Sequence, residues 1–380
     1  DTQLLADFVS EAYFSMVRNI QRFDWFITYL FGCSPALCKS FMDGLPSAFA
    51  EFDRHTFFEE YATSLRMSDI GYKNQAASLL RVSHDTLDGY VQSLWRATET
   101  PYAPYAEMGV VVDGVYRQLN ASILQIENEF YGSVRTKQVP QLGERPLAAL
   151  AKRGVGYLEL RSLDVNAFHP LGVYADQLYF LEAFMLFCLL HDSPPHDVQG
   201  ERINAENQTR VAHQGRRPGL ELLRNDTSIS LYEWALLTLD RIAMLADVLD
   251  ADDPAKPYSR AVAAQRAAVE EPDLTPSAHV LREMRENKET FYEFARRQSE
   301  QHKHYFEKHP ASPFRMTELD EVAMESWQHQ TELEATETGT FEDYLDAYFS
   351  QAPAPRGTEA PRENETVAEE LLSRTANATD

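Results

Sequence analysis

Two segments carry side chains whose types and spacing suit cation and phosphate chemistry: Leu119 to Lys137 (LNASILQIENEFYGSVRTK) and Val155 to Asp164 (VGYLELRSLD). Each reads as a β-strand with one apolar face and one chemically loaded face. In the first, Leu124, Ile126 and Phe130 alternate with Gln125, Glu127, Glu129 and Tyr131. In the second, Leu158 and Leu160 alternate with Tyr157, Glu159 and Arg161. Such carboxylates, with a guanidinium and phenols beside them, suit a site where Mg²⁺ bridges protein oxygens to phosphate. Glu159 and Arg161 stand two apart, so the carboxylate could hold the metal while the guanidinium meets a phosphoryl oxygen. Solvated strands tied by surface ion pairs fit the same pattern, and both readings stay open on the residues alone.

The elements that must position these residues are mostly helical. Residues 3–30 repeat Leu4, Phe8, Ala12, Met16 and Ile20 on one face. The apolar stretch Phe23 to Phe31 contains Asp24 and is too short to span a bilayer. Ser83 is a candidate N-cap for a helix to about Ala97, and Asp113-Gly114 between Val-rich arms predicts a hairpin. Leu178 to Leu190 is apolar nearly all round, which predicts a buried helix. Further helices are expected near 146–152, 230–250, 257–270, 278–307 and 318–335. Gly215-Arg216-Arg217-Pro218-Gly219 is a basic turn that either touches a phosphate or lies plainly on the surface.

Composition narrows the function. At 380 residues, 44% hydrophobic and 25% charged, the chain is an ordinary globular protein with ample core. A net charge of -24 excludes a nucleic-acid binder or a membrane-surface protein. Cys33, Cys38 and Cys188 are too few and too apolar in setting for a disulfide scaffold, which fits a reducing cytoplasm. No G-x-x-x-x-G-K-[ST] loop is present, and the eleven dispersed histidines supply neither a Ser-His-Asp nor a Cys-His arrangement.

Taken together, YLFG with SPA (Tyr29–Ala36), YATSLR-x-SD-x-GY (Tyr61–Tyr72), LQIENE-x-Y-x-x-x-R-x-K (Leu124–Lys137) and G-x-x-Y-x-E-x-RSLD (from Gly154) resemble the bacterial glutamate–cysteine ligases. GRRPGL at Gly215–Leu220 and PDLTPSAHVLREM at Pro272–Met284 extend the resemblance, which covers about residues 8 to 348. It implies an α+β fold like glutamine synthetase, a curved, mostly antiparallel sheet with a polar active-site face, backed and flanked by helices. It also implies ATP-dependent ligation of L-cysteine to the γ-carboxylate of L-glutamate through γ-glutamyl phosphate, with Mg²⁺ as cofactor and no nucleic-acid or membrane partner. Carried over by motif, Glu159 resembles a metal ligand, Arg161 a phosphate-stabilising cation and Arg66 the group that holds glutamate. Tyr72 and Tyr131 resemble hydroxyls that orient the acceptor's carboxylate. Glu127 and Glu129 remain alternative metal ligands.

Residues 1–348 are thus expected to form the catalytic domain and 349–380 a disordered acidic, Pro-rich tail, the whole acting as a cytoplasmic monomer. The family's upstream acidic G-x-E-x-E motif is not in this sequence, so the chain alone is expected to have an incomplete metal cluster and little activity. A related ligase using another amine, or a non-catalytic relative serving as a scaffold, are the alternatives.

Overall fold

Helix α1 (Thr2–Phe31) forms as expected, but the face read from the sequence is buried only from Met16 onward. Leu4 and Phe8 are 68% and 72% exposed, whereas Phe14, Val17, Ile20, Phe26, Ile27 and Leu30 are at most 1% exposed. Each such side chain contributes roughly 1.5–3 kcal/mol of burial free energy, which makes α1 the axis of the molecule. The structure, a computed structural model, describes residues 2–42, 49–71 and 80–353, with side chains from residue 4 onward. Tyr72 and most of the tail expected from 349 onward lie outside the described residues.

After α1 come β1 (Ala36–Cys38), β2 (Ala50–Glu51), β3 (Thr56–Phe58), α2 (Leu87–Glu99), α3 (Ala103–Met108), β4 (Val111–Val112) and β5 (Val115–Tyr116). The middle of the chain holds β6 (Val134–Lys137), α4 (Pro146–Arg153), β7 (Tyr157–Leu160), α5 (Ala175–Leu190) and α6 (Val198–Gln214). Then follow β8 (Glu221–Arg224), β9 (Thr227–Ser230), α7 (Leu231–Leu249), α8 (Pro257–Glu270), α9 (Pro276–Asn287), α10 (Phe291–Lys308), α11 (Pro313–Thr336) and α12 (Phe341–Phe349). The α+β class is observed. Every pairing between named strands is antiparallel, and the strands fall into four small sheets: β1-β3-β2, β4-β5, β6-β7 and β8-β9.

The main core joins α1 to α5, α7, α8 and the inner faces of β6 and β7 through Trp25, Phe26, Phe180, Phe184, Ile242, Val134, Leu158 and Leu160. Helix α5 is apolar on all sides as read, yet Leu178 and Leu190 remain exposed at its ends. Asp113 and Gly114 take φ of 53° and 74°, the left-handed pair that closes the β4–β5 hairpin.

Three expectations need correction. Residues 119–131 do not form a strand: the segment is irregular, ending in a 3₁₀ turn over Glu127–Glu129. Local side-chain bonds satisfy its backbone in place of a ladder, Gln125 Oε1 accepting from Leu119 N (2.7 Å) and Glu129 Oε2 from Gln125 N (2.7 Å). The strand begins later, at Val134. The single helix expected over 278–307 is two, because Lys288 turns left-handed (φ 56°) and Thr290 with Glu293 forms a capping box that starts α10. Helix α2 is capped by Thr86 rather than Ser83.

Candidate active site

The β6–β7 pair is the scaffold of the loaded face. Arg135 lies directly opposite Glu159 and Lys137 opposite Tyr157. Val134, Leu158 and Leu160 face the core, so alternation drives Arg135, Lys137, Glu159 and the adjoining Arg161 to the other side. The Glu159 carboxylate lies 3.3 Å from Lys137 Nζ and 3.5 Å from Arg161 Nε. Tyr131, half exposed, is flanked by two guanidiniums, Arg161 at 4.8 Å and Arg135 at 5.6 Å from its ring centroid. Burial, with Arg161 close by, pulls the Arg135 pKa below its usual value. In a chain of strongly negative charge, this concentration of cations is fit for phosphate oxygens.

Arg66 reaches the same place from a different segment. Its Nε donates to Asp164 Oδ1 at 2.6 Å, and its Nη2 donates to the carbonyls of Arg161 (3.1 Å) and Leu163 (2.8 Å). Asp164 is 5% exposed and gathers the surrounding loops. Its Oδ2 accepts from Cys33 N and Ser34 Oγ, both at 2.7 Å, and its Oδ1 also accepts from Ser64 Oγ at 3.0 Å. One carboxylate thus ties together three motif blocks: SPA, TSLR and RSLD. The end of α6 holds the TSLR loop from below, Thr63 N donating to Ala212 O (2.9 Å) and Thr63 Oγ1 to Val211 O (2.8 Å). Gly32 permits this close approach, since a Cβ there would stand 2.5 Å from Thr63 O. The basic turn after α6 serves the same purpose: Arg216 Nη2 donates to Glu60 O at 2.6 Å.

A cleft of about 260 Å³ opens where these parts meet. It is lined by Arg66, Met67, Tyr131, Ser133 and Arg161, by Gln21 and Asp24 of α1, and by His196, Glu201, Asn204 and Gln208. The volume lies below the roughly 300–1,000 Å³ typical of sites for drug-sized ligands, and so fits a small metabolite. Asp24 is 5% exposed, and burial raises its pKa to about 6 against the pull of nearby Ser162, Ser133 and Arg66. Burial lowers the His196 pKa to about 4, so that ring is neutral at physiological pH.

The structure therefore brings Arg66, Tyr131 and Arg161 to one cleft, with Glu159 beside Arg161 at its rim. It does not bring Glu127 or Glu129 there. Glu127 is 6% exposed, its Oε2 2.9 Å from Arg145 Nη2 and its Oε1 accepting from Leu147 N at 3.1 Å. Glu129 closes the turn at Gln125. Asp24, Asp164 and Gln208 belong to the site and were not singled out from the sequence. Asp24 carried a signal: a carboxylate four residues after Ile20 and three before Ile27 sits on the buried face of α1. Among the described residues, no group of three or more His, Cys, Asp or Glu is placed to hold a metal. No helix among them is long and apolar enough to cross a membrane.

A family model described as glutamate–cysteine ligase matches residues 1–211. Glutamate–cysteine ligases of Pseudomonas paraeruginosa and of Pseudomonas aeruginosa PAO1 are each 46% identical over 343 residues, covering 90% of this chain. The chain spans 65% of the length of these curated relatives. The crystal structure of glutamate–cysteine ligase from Francisella tularensis in complex with AMP superposes with a TM-score of 0.83 at 34% identity, over 90% of this chain and 68% of that one. A bifunctional glutathione synthetase from Pasteurella multocida, at 22% identity and TM-score 0.58 over 80% of this chain and 34% of that one, is similar in fold alone.

Proposed function

The chain belongs to the glutamate–cysteine ligase family, and from that premise we propose that it joins the γ-carboxylate of L-glutamate to the amine of L-cysteine at the expense of ATP, the first step of glutathione biosynthesis. A γ-carboxylate oxygen attacks the terminal phosphorus of ATP, the bond to the bridging oxygen breaks, and ADP leaves with that electron pair. The resulting γ-glutamyl phosphate is attacked at its acyl carbon by the neutral amine of cysteine. Phosphate departs as the amide forms and the amine loses its proton.

Arg161, Arg135 and Lys137 supply fixed positive charge where the transferring phosphoryl group gains negative charge, and they need no reorganisation to do so. Arg66 is held rigid by Asp164 and two carbonyls, which leaves its Nη1 to bind a substrate carboxylate. The Tyr131 hydroxyl orients the acceptor's carboxylate, and Tyr72 is assigned to the same task through its motif. Glu159 would supply a carboxylate to a Mg²⁺ bound with the nucleotide, whose charge would neutralise the phosphates. The reaction is placed in the reducing cytoplasm, a reading supported by three free thiols, and is assigned to a monomer.

The observation that carries this reading is the convergence of Arg66, Tyr131 and Arg161, from three separate stretches of sequence, on one small cleft. The purified protein should release ADP from ATP and glutamate only when cysteine is supplied, slowly for this chain alone, and mass spectrometry should show γ-glutamylcysteine. Release driven equally well by other amino acids would reassign the acceptor. No release with any amine, even when the family's upstream acidic segment is joined to this chain, would remove the ligase reading.

A further inference from the structure

Two buried acceptor atoms in the cleft have no hydrogen-bond partner. One is Asp24 Oδ1, on a side chain that is 5% exposed and ionised at neutral pH by its pKa of about 6. The other is Gln208 Oε1, whose amide is oriented by donation from its Nε2 to Thr28 Oγ1 at 2.7 Å. Both line the same cavity as Arg66 and Arg161, Asp24 from α1 and Gln208 from α6, the helix packed against it. Leaving such atoms unpaired costs free energy, and the two side chains line one small space, the Asp24 carboxyl having only the hydroxyls of Ser162 and Ser133 as neutral donors. A cationic group with several N–H donors satisfies both, and an ammonium carries three. With the guanidiniums of Arg66 and Arg161 lining the same cleft, it offers both charges that a zwitterion needs.

We infer that Asp24 and Gln208 bind the α-ammonium group of the glutamate substrate. The inference rests on the ligase reading and deepens it. Of the two amino acids joined, only glutamate keeps its α-ammonium through the reaction. The acceptor's amine must shed a proton to attack, so a carboxylate counter-ion would hold it in the unreactive form. Asp24 is therefore a specificity-determining residue that pairs with a spectator charge. The ammonium also returns buried Asp24 to a compensated state, which couples binding of the correct substrate to relief of an unfavourable charge in the empty protein.

The test compares L-glutamate with glutarate, which has the same two carboxylates and lacks the amine. Calorimetric titration of the wild-type protein should show glutamate binding at least about tenfold tighter than glutarate, the size expected of a charge-assisted hydrogen bond. In Asp24→Asn the two affinities should converge through loss of glutamate binding, with glutarate unchanged. A purely structural role for Asp24 would weaken both ligands alike. As an independent check, Gln208→Leu removes the second acceptor and should narrow the same ratio. A variant that keeps the wild-type preference, or a wild type that binds both diacids equally, overturns the inference. If that occurs while cysteine-dependent ADP release persists, the ligase reading stands without it. Absence of both glutamate binding and ADP release overturns the two together.

Discussion

Asp24→Asn should stabilise this protein, and the gain should depend on pH in a defined direction. Burial raises the Asp24 carboxyl from 3.8 to about 6, so the folded state holds a proton more tightly than the unfolded chain does. A raised folded-state pKa gives stability that is complete below about pH 3.8 and is lost as pH rises through about 6. At 1.36 kcal/mol per unit, the loss is about 3 kcal/mol on an order-of-magnitude scale. Asparagine has the same shape and does not titrate, so the variant escapes this loss. Urea denaturation followed by circular dichroism at pH 4.5, 6 and 8 measures the difference between the two proteins. It should be about 1 kcal/mol at pH 4.5 and grow to about 3 kcal/mol in favour of Asp24→Asn at pH 8, near a hundredfold in the folding equilibrium. A difference that does not change with pH, or an Asn variant less stable at pH 8, would show that Asp24 is adequately paired and refute the reasoning. A substitution that stabilises the fold while weakening substrate binding is the pattern expected of a residue kept for function.

Three further outcomes follow from the geometry. Asp164→Ala removes the acceptor that holds Arg66 Nε and three motif blocks; thermal denaturation should show a loss of about 3–5 kcal/mol, and any folded fraction should have little turnover. Glu127→Gln breaks a pair with fully buried Arg145, so stability should fall by about 3 kcal/mol while the KM for each substrate in the folded protein is unchanged; a selective loss of activity would return Glu127 to the metal. Glu159→Gln acts on partly exposed ion pairs, so stability should move by no more than about 1 kcal/mol while turnover falls steeply, and unchanged turnover would refute a metal role for Glu159.

The sequence displayed some parts of this account and hid others for identifiable reasons. The 157–160 strand was legible because Leu158 and Leu160 meet the core while Glu159 does not, a clean period of two. The 119–131 segment had the same alternation and is no strand, because Asn120, Gln125 and Glu129 bond to nearby backbone and compete with a ladder. Its apparent pair of catalytic carboxylates divides accordingly, Glu127 to a buried ion pair and Glu129 to a turn. Arg66 was found through its motif, whereas Asp164 was overlooked inside a quoted motif because its role is to join segments about 100 and 130 residues distant, which no local period reveals. Asp24 stood in plain view in an apolar run and drew notice only as an obstacle to a membrane span. The convergence of α1, α6 and the β6–β7 pair on one cleft is a property of the fold.

The most direct test of the central claim follows the fate of an oxygen atom. Glutamate labelled with ¹⁸O in its γ-carboxylate is incubated with the protein, ATP and cysteine, and the released phosphate is analysed by mass spectrometry. Transfer through γ-glutamyl phosphate predicts one labelled oxygen in each phosphate formed, with dependence on Arg161. Phosphate free of label, released at the rate of peptide formation, would contradict the account.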